Sequence, residues 1–185
     1  MKKKHSRLPY LLVVLGLAVV VLMAWVKRDH FTPVGPGMPA PQFQAQDRDG
    51  NPVNLATYGD QVVLLNVWAT WCPPCVKEMP SMQRLYEELA DDDFEIVAVS
   101  VDAPSGQRDA AGNPGGNVWQ FADSLGLTFP IVHDPEGRIQ RQYQTTGVPE
   151  SFVIGRDGVI YRKVAGATEW DAPQYVEFIR RLLSE

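Results

Sequence analysis

The stretch that decides the fold runs from Val62 to Glu78 and reads VVLLNVWATWCPPCVKE. An apolar run is followed at once by Cys72, Pro73, Pro74 and Cys75, and these are the only two cysteines in 185 residues. The run predicts a buried strand over Val62–Trp68, and the prolines stand where a helix begins, so Cys72 is expected on a strand-to-helix corner.

Two cysteines three residues apart can close a small disulfide across the first turn of a helix and reopen it by thiol exchange. A purely structural bridge does more when it ties distant segments, because its effect grows with the loop it closes. The helix N-terminus brings partial positive charge and free backbone NH groups, which favour a Cys72 thiolate. Cys72 is therefore the expected nucleophile and Cys75, one turn inside, the resolving thiol. A zinc half-site is the first alternative, but zinc takes four ligands and no second CxxC exists. His5, His30 and His133 are scattered and lack ligand spacing. A static structural disulfide is the other alternative.

The segment VWATWCPPCVKEMP resembles the active-site segment of the membrane-anchored, thioredoxin-like thiol-disulfide oxidoreductases that include the ResA, TlpA and CcmG (DsbE) proteins of cytochrome c maturation. The resemblance extends from about Met38 to Glu185. It implies an α/β thioredoxin fold with an N-terminal β-hairpin and an extra helix-strand insertion, preceded by one transmembrane helix. It also implies a substrate-facing rim made by Trp71, Pro73, Val148, Pro149 and Glu150.

Glu78 lies three positions after Cys75, about one turn along the same helix face. A carboxylate there can take or give the Cys75 proton, a role that the resembled ResA-like proteins assign to a Glu at this offset. The competing reading is a solvated first-turn Glu whose charge suits the helix dipole. The two prolines bear on direction. Neither has an NH, so two donors that could have solvated a Cys72 thiolate are missing, which favours the disulfide form and a reducing pair.

Elsewhere the composition sets the frame. With 45% apolar and 21% charged residues, the chain has material for one core. Six of the 17 basic residues fall in the first 28 positions, which carry no acid; the remainder is 11 basic against 22 acidic, a net of -11. Such a surface argues against a nucleic-acid partner. Residues 1–7, MKKKHSR, are expected in the cytoplasm. Leu8 to Val26 is an uncharged run of 19 residues, long enough to cross a bilayer as a signal anchor. A cleaved signal peptide is the rival, but the run exceeds the usual apolar core and lacks a clear small-x-small site. Residues 27–41, rich in Pro and Gly, read as a linker, and 42–185 as the thioredoxin-like domain.

Within that domain, Gln42 to Leu55 alternates around Asp49 and Gly50 and predicts a β-hairpin. Met79, Met82, Leu85, Tyr86 and Leu89 predict an amphipathic helix after Cys75, interrupted by Pro80. Phe94–Val101 predicts a second parallel strand, and Asp102–Gly116 a turn-rich outer loop. A helix over Asn117–Leu125 and a strand over Phe129–Val132 form the insertion. A helix over Asp134–Tyr143 follows, then a hairpin from Ser151 to Gly166 around Asp157 and Gly158, and a last helix from Ala172 to Leu183.

The second constellation is Thr146 to Phe152, TGVPESF. By resemblance Pro149 is a cis proline facing the CxxC, with Val148 beside Cys72 and Glu150 matching the PE of CcmG-like chains. The expectation is a bacterial inner-membrane protein with a periplasmic catalytic domain that reduces protein disulfides, apocytochrome c among them. No cofactor beyond the Cys72–Cys75 disulfide is expected, and the resemblance implies a membrane thiol donor of the CcdA or DsbD kind. Two alternatives remain: a disulfide oxidase using the same residues in reverse, and a copper-binding assembly factor using Cys72, Cys75 and His133. A thiol peroxidase would need PxxxTxxC, whose Pro and Thr positions are here Leu65 and Ala69.

Overall fold

The computed structural model describes residues 8–26 and 33–185. Residues 1–7, and residues 27–32 of the expected linker, lie outside the described residues. The chain divides into two units at Pro33 and Val34.

In the first unit, α1 (Leu8–Val26) is a single helix of 19 residues with no acidic residue in its first turn and no basic residue in its last. Its described side chains, 10–25, are all exposed. Judged on the described residues alone, no helix is long and apolar enough to cross a membrane.

The second unit opens with Gly37–Ala40 hydrogen-bonded to Gly158 and Ile160, and Tyr143 Oη donates to Pro41 O at 2.8 Å. The folded body thus starts near Val34, eight residues ahead of the expected Gln42, because paired backbone fixes that part of the Pro/Gly-rich stretch. The strands and helices that follow are β1 (Gln44–Gln46), β2 (Pro52–Asn54), a 3-10 turn (Leu55–Tyr58), β3 (Val62–Trp68) and α2 (Pro73–Glu88). Next come β4 (Phe94–Ser100), α3 (Val118–Ser124), β5 (Ile131–His133) and α4 (Arg138–Gln142), and finally β6 (Glu150–Ile154), β7 (Ile160–Ala165) and α5 (Pro173–Leu183).

The sheet runs β2-β1-β5-β4-β3-β6-β7. β3 pairs parallel with β4 and β4 with β5, while β6 runs antiparallel to β3 and β7 to β6. All seven residues of β3 are buried. Since alternate side chains point to opposite faces, both faces are covered, which is why the run shows no polar alternation. α2 packs against β4 and α5 against β3. Buried Met79, Met82 and Leu85 from α2, and Val176, Ile179 and Leu182 from α5, supply the apolar cover. Each such side chain contributes about 1.5–3 kcal/mol when fully buried. α2 continues through Pro80, so the proline removes one internal hydrogen bond without ending the helix.

Two differences from the expected elements have local causes. α4 is shorter than Asp134–Tyr143, because the Asp134 carboxylate accepts from the NH groups of Arg138 and Ile139, and Gly137 just before the helix has φ 62°. Asp134 therefore caps the helix from outside it. The 102–116 loop is itself folded. Arg108 pairs with Pro114, and Asp109 accepts from the backbone of Ala111 and Asn113 and from Asn113 Nδ2. The β1–β2 turn does the same with Asp47, Asp49 and Asn51. DRDGN and DAAGN are thus two copies of one turn, each with its Gly at positive φ, 81° at Gly50 and 87° at Gly112.

Candidate active site

β3 ends at Trp68, and four residues later the chain reaches Cys72, the N-cap of α2. What holds this corner is a residue that sequence reasoning passed over. Asp102, at the end of β4, is fully buried and accepts hydrogen bonds from Thr70 N (2.9 Å), Thr70 Oγ1, Ser100 Oγ (2.8 Å) and Gly116 N (3.3 Å). A Cβ at Gly116 would collide with Thr70 Oγ1, so only glycine brings the outer loop this close to the corner.

Cys72 and Cys75 are joined, with Cα atoms 5.3 Å apart. Pro73 and Pro74 occupy the first helical positions and are exposed, where missing NH groups leave no intrahelical bond unmade. One donor survives their loss: Cys75 N–H points at Cys72 Sγ, 3.2 Å away. Cys72 is 3% exposed and Cys75 0%, so Cys72 presents the accessible sulfur, though through a narrow opening rather than on a displayed corner.

The Val148–Pro149 peptide bond is cis, and Val148 O lies 3.5 Å from Cys72 Sγ. The two segments singled out as catalytic, 76 residues apart in the chain, meet at the disulfide. Trp71 is half-buried against the core and lines a groove with Val101, Ala103, Gln107, Arg108 and Arg141. Glu150 departs from its expected place on the substrate rim. It is 3% exposed, accepts from Thr146 N at 3.1 Å and pairs with Lys163 Nζ at 3.4 Å, so its carboxylate faces inward and ties the 146–149 turn to β7.

Glu78 is 1% exposed, which removes the reading of a solvated first-turn residue. Asn66 Nδ2 donates to its Oε1 at 2.7 Å, and Thr168 N donates to its Oε2 at 3.1 Å. Burial pushes its pKa up from 4.5 to about 7; Asn66, the Thr168 NH and the Trp170 indole oppose that rise without cancelling it. The Trp170 N–H is near enough to act on the carboxylate but completes no hydrogen bond. Asn66 is the second residue missed. It is the only polar residue in the VVLLNVW run, and that break in an otherwise apolar strand was the signal. Its Nδ2 also donates to Ser151 Oγ at 2.8 Å, linking β3 to β6 two residues beyond Pro149.

His133 Nε2 sits 2.7 Å from Asp102 O, and among the described residues no cluster of His, Cys, Asp and Glu could hold a metal. Leu65 and Ala69, at the positions where a thiol peroxidase would carry Pro and Thr, are buried apolar residues.

A strand, a CxxC at a helix N-terminus and a cis proline against the first sulfur form one arrangement. The model of the AhpC/TSA family matches residues 36–163. The chain belongs to the AhpC/TSA family of thioredoxin-like proteins. Within it, the chain is 35% identical over 182 residues to the thiol-disulfide oxidoreductase ResA of Geobacillus thermodenitrificans, covering 96% of this chain and 99% of that one. It is 32% identical to ResA of Bacillus subtilis over 148 residues, 80% of this chain and 77% of that one. The crystal structure of StoA from Bacillus subtilis aligns with a TM-score of 0.58 at 27% identity, covering 81% and 100% of the two chains. A Chlorobium tepidum structure assigned as thiol:disulfide interchange protein DsbE aligns at 0.69 and 29%, covering 80% and 97%.

This AhpC/TSA protein is a thiol-disulfide oxidoreductase of the ResA/CcmG group with a thioredoxin-like α/β fold. Its chemistry is thiol-disulfide exchange at Cys72 and Cys75 with disulfide-containing substrates.

Proposed function

We propose that the protein is an anchored, extracytoplasmic protein-disulfide reductase in which Glu78 carries the Cys75 proton. In the dithiol form, the Cys72 thiolate attacks a substrate disulfide and expels one substrate thiolate, leaving a mixed disulfide. Glu78 takes the proton of Cys75, and the resulting thiolate attacks Cys72 Sγ. The second substrate sulfur leaves, so two electrons pass to the substrate and the enzyme keeps the disulfide. The observation that carries this reading is the burial of the Glu78 carboxyl one turn from Cys75 among neutral donors, which pushes its pKa up to about 7, where a group can both take and return a proton.

Direction follows from the donors around Cys72. With Pro73 and Pro74 in the first turn, Cys75 N–H is the donor directed at Cys72 Sγ, so the thiolate is sparingly stabilised and the dithiol form is the better electron donor. No bound cofactor enters the cycle. The anchor is the uncharged run Leu8–Val26, a reading that rests on its sequence and on the basic residues before it, since the described residues alone do not make a helix long and apolar enough to cross a membrane. The basic MKKKHSR holds the N-terminus inside, leaving the domain on the periplasmic side of the bacterial inner membrane. Electrons reach it from a membrane thiol relay of the CcdA or DsbD type. The substrates are apocytochrome c disulfides, a reading supported by the likeness to ResA and DsbE.

The test is the reduction potential of the full-length chain in detergent, followed by trapping with Cys75→Ser. A potential near or below about -250 mV and a stable mixed disulfide between Cys72 and apocytochrome c are expected. A potential near about -120 mV would make the protein a disulfide-forming oxidant and overturn the reading.

A further inference from the structure

The polar groups of the buried site are not equally used. Asn66 is 0% exposed in the middle of β3, where a polar side chain has to find partners or destabilise the strand. One end of its amide meets two oxygens, Glu78 Oε1 at 2.7 Å and Ser151 Oγ at 2.8 Å. The other end, Oδ1, is buried and has no hydrogen-bond partner among the described residues. The two oxygens share a property. A hydroxyl can accept or donate, and a carboxyl accepts when ionised and donates when protonated. An amide turned by half a rotation puts Oδ1 between the same two oxygens and accepts from both.

We propose that Asn66 is a positioning residue for thiol-disulfide exchange, holding Glu78 in place by presenting Nδ2 to the carboxylate and, after its amide turns, Oδ1 to the carboxylic acid. The inference deepens the proposed function and rests on Glu78 carrying the Cys75 proton. When that proton moves to Glu78, the Cys75 sulfur becomes a thiolate and Glu78 Oε1 becomes a donor. Nδ2 then faces a hydrogen, and the turned amide restores a hydrogen bond at the same position. Ser151 reverses its own O–H in step, so the β3–β6 link survives in both states.

The groups acting on Glu78 are the Asn66 amide of β3 and the Thr168 NH and Trp170 indole ahead of α5. None of them is charged. The other titratable group of the proton transfer is Cys75, one turn back on α2. With no ion pair to fix the carboxyl, hydrogen bonding sets its orientation, and Asn66 is the side chain whose N–H hydrogen-bonds it.

The experiment uses the full-length chain in detergent, reduced, with oxidised glutathione as the disulfide, and reads from pH 5 to 9 the rate at which Cys75 resolves the Cys72–glutathione mixed disulfide, the step in which Glu78 takes the proton. Wild type is expected to gain rate with a midpoint near 7, and Glu78→Gln to lose that limb. Asn66→Leu, which keeps the branched shape but removes the bond in both protonation states, is expected to move the limb alkaline by a fraction of a pH unit, because the carboxylate loses the stronger, charge-assisted bond. A limb unmoved in Asn66→Leu but lost in Glu78→Gln overturns the Asn66 inference alone. A limb retained in Glu78→Gln overturns the Glu78 reading and this inference with it. Should Asn66→Leu not fold, NMR of the wild-type Asn66 side-chain amide decides. NOEs from its NH2 to Ser151 that are present at pH 8 and lost at pH 5.5 support the turn, and NOEs unchanged across that range overturn it.

Discussion

Two buried carboxyls flank the disulfide, and their surroundings differ. Glu78 on α2 and Glu150 at the start of β6 are 1% and 3% exposed, and each accepts a backbone NH. Glu150 also has a cation, Lys163, at 3.4 Å, and Lys163 Nζ in turn reaches Val34 O and stands 5.1 Å above the Phe152 ring. Glu78 has an amide where Glu150 has an ammonium. A buried carboxylate with a counter-charge is a clamp, because the ion pair and the backbone NH together tie two elements to it. A buried carboxylate with neutral donors is a proton carrier, because its charge is opposed by burial and released near neutral pH. Residue type and burial are the same, and the partner decides the role.

The largest way to sharpen this contrast is through stability. Burial raises the Glu78 pKa from 4.5 to about 7, so between these values the folded chain holds a proton that the unfolded chain has released. Stability is then highest at the acid end of the window and falls as pH rises through it, by about 3 kcal/mol in full. Denaturant unfolding of wild type should show that slope between pH 4.5 and 7.5, and Glu78→Gln should flatten it. Second in size is the kinetic effect. Glu78→Gln is expected to slow exchange at pH 7.5 about 100-fold, measured as reduction of a disulfide peptide, the low end of the range for loss of a general acid-base group.

Glu150→Gln should separate the two carboxyls in the opposite sense. It keeps the Thr146 bond but weakens the tie to Lys163, so a loss of about 1.5 kcal/mol in stability is expected with exchange within threefold of wild type. An equal kinetic loss in both variants would collapse the distinction. Smallest is Lys163→Met, at about 1 kcal/mol. A double-mutant cycle with Glu150→Gln should return coupling of about that size, whereas Lys163 and Glu78 should be additive.

The fold was legible wherever a local pattern carried it. VVLLNVW gave β3 to the residue, the Asp49-Gly50 and Asp157-Gly158 turns gave both hairpins, and the stripe of Val176, Ile179 and Leu182 gave α5. Cys72, Cys75 and Glu78 could be grouped from the sequence because each lies about one helical turn from the next. Val148 and Pro149 came through resemblance alone, since a cis peptide has no local sequence signal of its own. What escaped were partners made by topology. Asn66 and Ser151 are 85 residues apart and meet because β3 and β6 pair in the register that sets them opposite each other. Asp102 reads as the first residue of a polar loop, yet it is buried because Thr70, Ser100 and Gly116 converge on it. Glu150 looked like a rim residue because its position beside Pro149 is visible in the sequence, while the Lys163 that turns it inward is on another strand.

The most direct measurement is a 13C titration of the Glu78 side-chain carboxyl in the full-length chain, followed from pH 3 to 9 and assigned by its loss in Glu78→Gln. The account predicts a midpoint near 7. A midpoint near the ordinary 4.5 would leave Glu78 ionised throughout the working range, and the contrast between proton carrier and clamp would not hold.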